Sequence, residues 1–134
     1  MKTYNHPDWA MTVPDHWSVE AESDFTSFYD PDGVGELLIS SMLHEQALSD
    51  DDLEEFAADH IDTEVESEEV EYGEFSGFSF CYEVEDEYLC EWYLRAGKLM
   101  LFVTYSCALE DEEHSEEDIV ETMLDSLRRS QDTF

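Results

Sequence analysis

The stretch TEVESEEVEYGEFSGFSFCYEVEDEYLCEWYLRAGKLMLFVTYSCAL, residues 63–109, alternates apolar and polar side chains over much of its length. Alternation with a period of two residues predicts β-strands with one buried face each. The breaks YGEFSG, EDE and RAGK divide the stretch into consecutive strands, so we expect an antiparallel meander. LMLFVTY is apolar on both faces and predicts a central strand, whereas the acid-rich TEVESEEVEY predicts an edge strand. The predicted apolar faces are Phe78, Phe80, Tyr82 and Val84; Tyr88, Cys90, Trp92 and Leu94; and Leu99, Leu101, Val103, Tyr105 and Cys107.

The residues before this meander predict a β-hairpin. WAMTVPDHW indicates a short first strand that ends at Pro14, and WSVEAE followed by DFTSFYD continues the strand pattern. DPDG, residues 30–33, then precedes the apolar run VGELLISSML. Pro31 presets φ and Gly33 tolerates a positive φ, which is typical of a turn that joins two strands.

The same DPDG segment also raises the question of a calcium loop. An EF-hand loop that started at Asp30 would need an oxygen ligand at its fifth position and glutamate at its twelfth, but Val34 and Ser41 stand there. Strands rather than helices also flank the segment. We therefore expect a turn, with weak cation binding at Asp30 and Asp32 as the alternative.

Two segments have the spacing of amphipathic helices. In LSDDDLEEFAADHID, residues 48–62, Ser49 is a good N-cap with Asp52 three residues later. In LEDEEHSEEDIVETMLDSLRRS, residues 109–130, we expect Ser115 to be the N-cap, and Arg128 and Arg129 to occupy the last turn. The predicted buried stripes are Leu53, Phe56, Ala57, His60 and Ile61, and Ile119, Val120, Met123, Leu124 and Leu127.

The order of elements predicts one α+β domain over residues 1–134. It consists of an antiparallel meander sheet with an N-terminal hairpin, and of a mid-chain and a C-terminal helix packed on that sheet. A length of 134 residues and a hydrophobic fraction of 42% are sufficient for a real core.

The charge excludes several classes of partner. The chain has 37 acidic residues, five Lys and Arg residues, and a net charge of −32. Such a surface repels phosphate, so we expect neither ordinary nucleic-acid binding nor association with anionic membranes. No apolar run approaches the ~20 residues of a membrane-spanning helix. The start MKTYNHPDWAM has no apolar segment typical of a signal peptide, which favours the cytoplasm.

No pattern of residues indicates catalysis, a cofactor or a metal. Cys81, Cys90 and Cys107 show no CxxC spacing, so we expect three buried, reduced thiols. The histidines form no HxH or HxxxH pair, and the chain contains neither GxSxG nor a glycine-rich phosphate loop. Trp9, Trp17 and Trp92 are expected in the core, with one exposed as an interface anchor as the alternative. The histidines are His6, His16, His44, His60 and His114.

Several segments together resemble the PsbP-like family, which includes a photosystem extrinsic protein, a Ran-binding nuclear import factor and small bacterial relatives. They are VPDHW, FTSFYDPDGVGELLISS, SDDDLEEF, GEFSGFSFCYE leading into EWYLRAGKLMLFVTYSC, and the final LDSLRRS. These motifs are structural, so no functional residue of the family can be assigned to this chain. The resemblance implies a class of proteins that mostly bind other proteins and rarely catalyse reactions. Small bacterial relatives include adaptors and effector chaperones.

These observations leave three main hypotheses of function, besides a hydrolase that would use paired carboxylates and for which no motif brings site residues together. The first is a small non-enzymatic cytoplasmic module, of adaptor, immunity or effector-chaperone type, that binds a basic protein by electrostatic steering. The second is a salt-adapted domain whose acidity serves solvation only. The third is a nucleic-acid mimic, which requires carboxylates spaced like phosphates along one face. The sequence does not indicate the partner-binding residues or the oligomeric state.

Overall fold

The computed structural model describes residues 1–58, 67–114 and 116–129. In these residues the chain forms ten β-strands, two α-helices and a short 3-10 helix over Leu109–His114. The helices are α1 (Asp50–Ala58) and α2 (Glu117–Asp125). The strands are β1 (Lys2–Asn5), β2 (Trp9–Val13), β3 (Ser18–Ala21), β4 (Thr26–Tyr29), β5 (Gly35–Leu43), β6 (Glu68–Tyr72), β7 (Phe75–Val84), β8 (Glu87–Ala96), β9 (Leu99–Ala108) and β10 (Arg128–Arg129).

Seven strands form one antiparallel sheet in the order β3-β4-β5-β9-β8-β7-β6. The central position of β9 confirms the prediction from LMLFVTY, and the outer position of β6 confirms the predicted acidic edge. Together with the two helices, this sheet confirms the α+β class and the meander.

The turns of the meander follow from local chemistry. Gly97, with a φ of +60°, lies between β8 and β9, where the sequence predicts a tight turn at AGK. Glu85, with a φ of 57°, and Asp86 connect β7 to β8, because Val84 pairs with Glu87. A positive φ is uncommon in a residue other than glycine, and two-residue hairpin loops require it.

The DPDG segment is a turn, as predicted. The Gly33 amide donates to the Asp30 carbonyl at 2.8 Å, and the Asp32 amide donates to Asp30 Oδ1 at 2.9 Å. The side chain of Asp30 therefore closes an Asx-type turn between β4 and β5. The strand pattern that precedes DPDG in the sequence forms two strands, β3 and β4, which pair with each other as a second hairpin.

Both chain ends differ from the prediction. Lys2–Asn5 forms β1, which the sequence did not indicate, and pairs with β2. Arg128 and Arg129 were predicted to lie in a helix, but they form β10 and pair with Ala10 and Trp9 of β2. The prediction was wrong because the backbone at the edge of β2 provides hydrogen-bonding partners that no local pattern reveals.

The helix α2 ends at Asp125, before the predicted last turn, and the predicted residues 59–62 of the first helix lie outside the described part of the chain. The α1 cap is confirmed: the Asp52 amide donates to Ser49 Oγ at 3.3 Å, and the Ser49 amide donates to Asp52 Oδ2 at 2.8 Å. For α2 the structure places the N-cap at Glu116, which makes no side-chain capping bond. The predicted cap Ser115, and His60 and Ile61 of the first helical stripe, lie outside the described residues.

The seven-stranded sheet has a core on each face. On one face, α2 and the small sheet β1-β2-β10 cover the main core, which includes Trp9, Trp17 and Trp92, with exposed fractions of 0%, 1% and 3%. The tryptophans are therefore core residues as predicted, and none is an exposed anchor. On the other face, α1 buries Leu53 and Ala57 against Phe80, Tyr93 and Met100.

Candidate functional site

A cleft of about 800 Å³ lies beside α2 and the β6–β7 end of the large sheet. We call it the α2 cleft. It is open to solvent, and its polar lining is dominated by carboxylates. Its walls are Ser67, Glu68, Ser79, Phe80, Cys81, Cys90, Trp92, Glu117, Asp118 and Glu121.

The helical spacing of α2 supplies three of these carboxylates. Glu117 and Glu121 are four residues apart and therefore lie on the same side of the helix, with Asp118 beside them. Val120, Met123 and Leu124 are buried against the sheet, which fixes the orientation of α2. Tyr72 donates a hydrogen bond to Glu121 Oε2 at 2.8 Å, and Trp92 Nε1 donates to the Tyr72 hydroxyl oxygen at 3.2 Å. Burial raises the pKa of Tyr72, so its hydroxyl keeps the proton that it donates to Glu121.

A disulfide forms part of the floor of the cleft. Cys81 of β7 and Cys90 of β8 are directly opposite in the strand register and are joined covalently. Cys90 is buried, whereas Cys81 is exposed on the side of the cleft. The prediction of three buried, reduced thiols is therefore wrong for this pair. Cys107 lies outside the disulfide and is buried, as predicted.

Glu117 lies against this pair of sulfur atoms. Its Oε1 atom is 3.1 Å from Cys90 Sγ and 3.9 Å from Cys81 Sγ, and the Tyr88 hydroxyl donates a hydrogen bond to the same oxygen. A disulfide sulfur carries no proton, so the contact with Cys90 becomes a hydrogen bond only in the reduced protein. The potential ligand atoms of Cys81, Cys90 and Glu117 all lie within 4.8 Å of one another. In the parts of the chain that the structure describes, no other group of three or more such residues has this spacing.

No cation neutralises the carboxylates of the cleft within the described ranges 1–58, 67–114 and 116–129. The ion pairs there are Met1–Asp15, His16–Asp30, Arg95–Asp50 and Arg129–Glu74. All of them lie outside the cleft lining. The negative potential of the α2 cleft is therefore available to a ligand.

Two further carboxylates are held inside the fold. Glu91 is 6% exposed and accepts hydrogen bonds from the hydroxyls of Tyr82 and Tyr93 on the α1 face of the sheet. Burial raises the pKa of Tyr82 to about 12 and also raises that of Tyr93. These two tyrosines therefore remain donors over the whole neutral range.

The second of these carboxylates, Glu116, ties α2 to the β4–β5 hairpin. Its Oε1 atom accepts hydrogen bonds from the Gly35 amide at 2.9 Å, the Tyr105 hydroxyl at 3.0 Å and the Val34 amide at 3.3 Å. A Cβ atom at residue 33 would lie 2.3 Å from Glu116 Oε2, so glycine at this position leaves room for the carboxylate. This site positions α2 and with it the α2 cleft.

The histidines do not form a site where the structure describes their side chains. His6 stacks on Trp9 with ring centroids 5.0 Å apart, and burial lowers its pKa. His16 Nε2 is 3.3 Å from Asp30 Oδ2 at the exposed hairpin turn, and His44 is exposed after β5. The side chains of His60 and His114 lie outside the described part of the chain.

The cysteine pair was missed, although the sequence contained a signal for it. Cys81 lies four residues before Glu85 and Cys90 four residues after Asp86, so a two-residue turn at Glu85 and Asp86 places the two cysteines side by side. The separate hydrogen-bonded sites of Glu91 and Glu116 could not be predicted from the sequence. The chain has 37 acidic residues, and nothing in the sequence distinguishes these two from the others.

Comparison with known proteins supports the fold and leaves function open. No family model matches the chain, and no curated protein is similar to it. A crystal structure from Bacteroides thetaiotaomicron superposes with a TM-score of 0.73 at 17% sequence identity, over 99% of this chain and 50% of the other. The chain thus spans about half the length of that protein and shares its fold over this half. Among the described residues, no helix is long and apolar enough to cross a membrane.

Proposed function

We propose that this protein is a non-enzymatic binding domain whose α2 cleft receives a basic segment of a partner protein. The observation that carries the proposal is that Glu68, Glu117, Asp118 and Glu121 line one cleft of about 800 Å³ without a neutralising cation among the described residues. A partner whose lysine or arginine side chains enter this cleft supplies the missing positive charge.

The composition of the walls suits such side chains. Trp92 and the Cys81–Cys90 disulfide lie beside the carboxylates and form the less polar part of the wall, which the methylene stem of an arginine or lysine would contact, whereas the Phe80 side chain packs on the α1 face of the sheet. Glu121 is oriented by the Tyr72 hydroxyl and Glu117 by the Tyr88 hydroxyl, which lowers the entropic cost of pairing with a guanidinium group. The proposed partner is therefore a basic protein segment with arginine at its centre.

A second candidate function concerns the remainder of the surface. Exposed carboxylates occur on both helices, on the β6 edge and at the Glu85–Glu87 turn, so the acidity is spread widely over the described surface. A spread of this kind favours solvation in a salt-rich cytoplasm, and it gives no support to the two phosphate-like rows of a nucleic-acid mimic. Salt adaptation of the shell and a binding role of the cleft are compatible, since they involve different carboxylates.

The PsbP-like assignment remains a proposal about ancestry. It is supported by the antiparallel meander, by the hairpin at residues 30–33 and by the packing of α2 on the main core. The family relationship would be consistent with a protein-binding role in the cytoplasm.

The test of the binding proposal compares two double variants in low salt. Fluorescence anisotropy of a labelled oligo-arginine peptide is measured with the disulfide-bonded, metal-free protein. E117Q/E121Q removes two charges from the cleft, and E54Q/E55Q removes two exposed charges from α1 on the other face of the sheet. Each ion pair between a cleft carboxylate and a peptide arginine is expected to contribute about 0.7 kcal/mol. Loss of two such pairs, about 1.4 kcal/mol, therefore raises the dissociation constant about tenfold.

The control variant is expected to bind within about twofold of the wild type, since steering by net charge is spread over the whole shell. Equal weakening by the two double variants would refute the proposal, because it would mean that the peptide binds the shell without regard to the cleft.

A further inference from the structure

We propose that the reduced protein binds a borderline divalent metal ion, with Zn²⁺ as the best fit, through Cys81, Cys90 and Glu117. The disulfide closes this site and reduction opens it. The inference does not depend on the proposed binding of a basic segment, since it uses the thiols rather than the charge of the cleft as a whole.

The ligand geometry supports a three-residue site. In tetrahedral zinc sites the Zn–S and Zn–O distances of about 2.3 and 2.0 Å place sulfur and oxygen about 3.5 Å apart. The distances from Glu117 Oε1 to the sulfur atoms of Cys90 and Cys81 are 3.1 Å and 3.9 Å, on either side of that value. After reduction the two sulfur atoms have only to move apart, and Cys81 faces solvent and has room to do so.

The surroundings also suit a cation. Thiolate and carboxylate ligands match zinc, and three protein ligands leave a fourth position open to the solvent of the cleft. The Tyr88 hydroxyl donates to Glu117 and fixes the direction of its carboxylate, as outer partners of metal ligands do. Glu68, Asp118 and Glu121 line the same cleft and add a negative potential that attracts a cation.

The redox step balances with a phosphine as the reductant. The phosphine gives two electrons to the Cys81–Cys90 bond, water supplies two protons and its oxygen atom, and the products are two thiols and a phosphine oxide. Metal binding then replaces both thiol protons, which are released to the buffer. Carboxylates that bind a metal at neutral pH release no protons, so proton release separates this site from adventitious binding to the acidic shell.

The experiment titrates Co²⁺, as a spectroscopic stand-in for Zn²⁺, into the full chain with and without prior reduction by a phosphine. Reduced protein is expected to show thiolate-to-cobalt absorption that saturates at one equivalent, with about two protons released per metal ion. Zn²⁺ is expected to displace the cobalt. The oxidised protein, which has the same acidic shell, is the matched control and is expected to show no such absorption.

The variants identify the ligands. C81S changes an exposed side chain and is expected to abolish the absorption, E117Q is expected to weaken cobalt binding about tenfold or more, and C107A is expected to leave the absorption unchanged. Absence of thiolate-to-cobalt absorption in the reduced wild type would overturn the proposal. Undiminished thiolate-to-cobalt absorption in C81S would also overturn the proposal. Because Cys81 is exposed, this variant does not change the core.

Discussion

Glu116 is expected to stabilise the fold more than any exposed carboxylate, because it joins α2 to the β4–β5 hairpin. The change to test is Glu116→Ala. It removes an acceptor from the amides of Val34 and Gly35 and from the hydroxyl of Tyr105, which is fully buried. A hydrogen bond to a charged group contributes about 1.5–3 kcal/mol, so three of them give an upper limit well above 4 kcal/mol.

Two effects reduce that value. Glu116 Oε2 is buried without a hydrogen-bond partner among the described residues, and its removal relieves an unfavourable burial. Loss of one negative charge also reduces the self-repulsion of a chain with a net charge of −32. We therefore expect Glu116→Ala to lower the free energy of unfolding by about 2–4 kcal/mol.

The assay is urea denaturation followed by circular dichroism at fixed salt. Glu54→Ala is the matched control, because Glu54 is exposed on α1 and its removal changes the net charge by the same amount. The control is expected to stay within about 0.5 kcal/mol of the wild type. If the two variants unfold at the same urea concentration, the hydrogen bonds of Glu116 contribute nothing and the reasoning is refuted.

Three further predictions concern Leu53, Gly77 and Tyr82, which pack against the large sheet or form hydrogen bonds within it. Leu53→Ala, on the fully buried contact of α1 with the sheet, is expected to cost about 2–5 kcal/mol in urea denaturation, whereas an unchanged midpoint would mean that α1 is not packed there. Gly77→Ala places a Cβ atom 1.8 Å from the Tyr93 carbonyl oxygen, and it is expected to cost about 3 kcal/mol or more, with Ser76→Ala as the neutral control. Stability is expected to fall as the pH rises from 10 towards 12, because the folded state keeps the Tyr82 proton up to a pKa of about 12 while the unfolded chain loses it near 10.0. Tyr82→Phe is expected to lose less stability than the wild type between pH 10 and 12. An equal loss of stability in the variant and the wild type would contradict the raised pKa of Tyr82.

The meander could be predicted because its information is local. Alternation along each strand, with a break at EDE and another at AGK, fixes the register, and a buried face makes any one-residue slip costly. Ser49 and Asp52 likewise determine the start of α1 within a few residues. These features depend on residues that are close together in the chain, so they can be read from the sequence.

The features that could not be predicted depend on partners far away in the chain. Arg128 and Arg129 follow a helical pattern, but pairing with β2 and a contact of Arg129 with Glu74 determine their conformation. The Glu116 network joins residues about eighty positions apart, and the buried Glu91 is identified only by the two tyrosine hydroxyls that surround it. The α2 cleft combines β6, β7, β8 and α2, so no single stretch of sequence contains it.

The spread of the charge has a consequence for stability that a salt titration measures. Self-repulsion is screened over a Debye length of about 10 Å at 0.1 M salt and about 3 Å at 1 M. If the shell is adapted to salt, the folded fraction seen by circular dichroism is expected to rise from low to molar salt. A protein that is fully folded at low salt would contradict salt adaptation.

The most direct test of the binding proposal maps where a basic peptide touches the protein. Amide chemical shifts of the ¹⁵N-labelled, disulfide-bonded protein are recorded while an oligo-arginine peptide is added. Binding in the α2 cleft predicts shifts concentrated at Ser79, Cys81 and residues 117–121, with small changes on α1 and on the Glu85–Glu87 turn. Shifts distributed evenly over these acidic segments would contradict the proposal, since they would show that the peptide recognises charge alone.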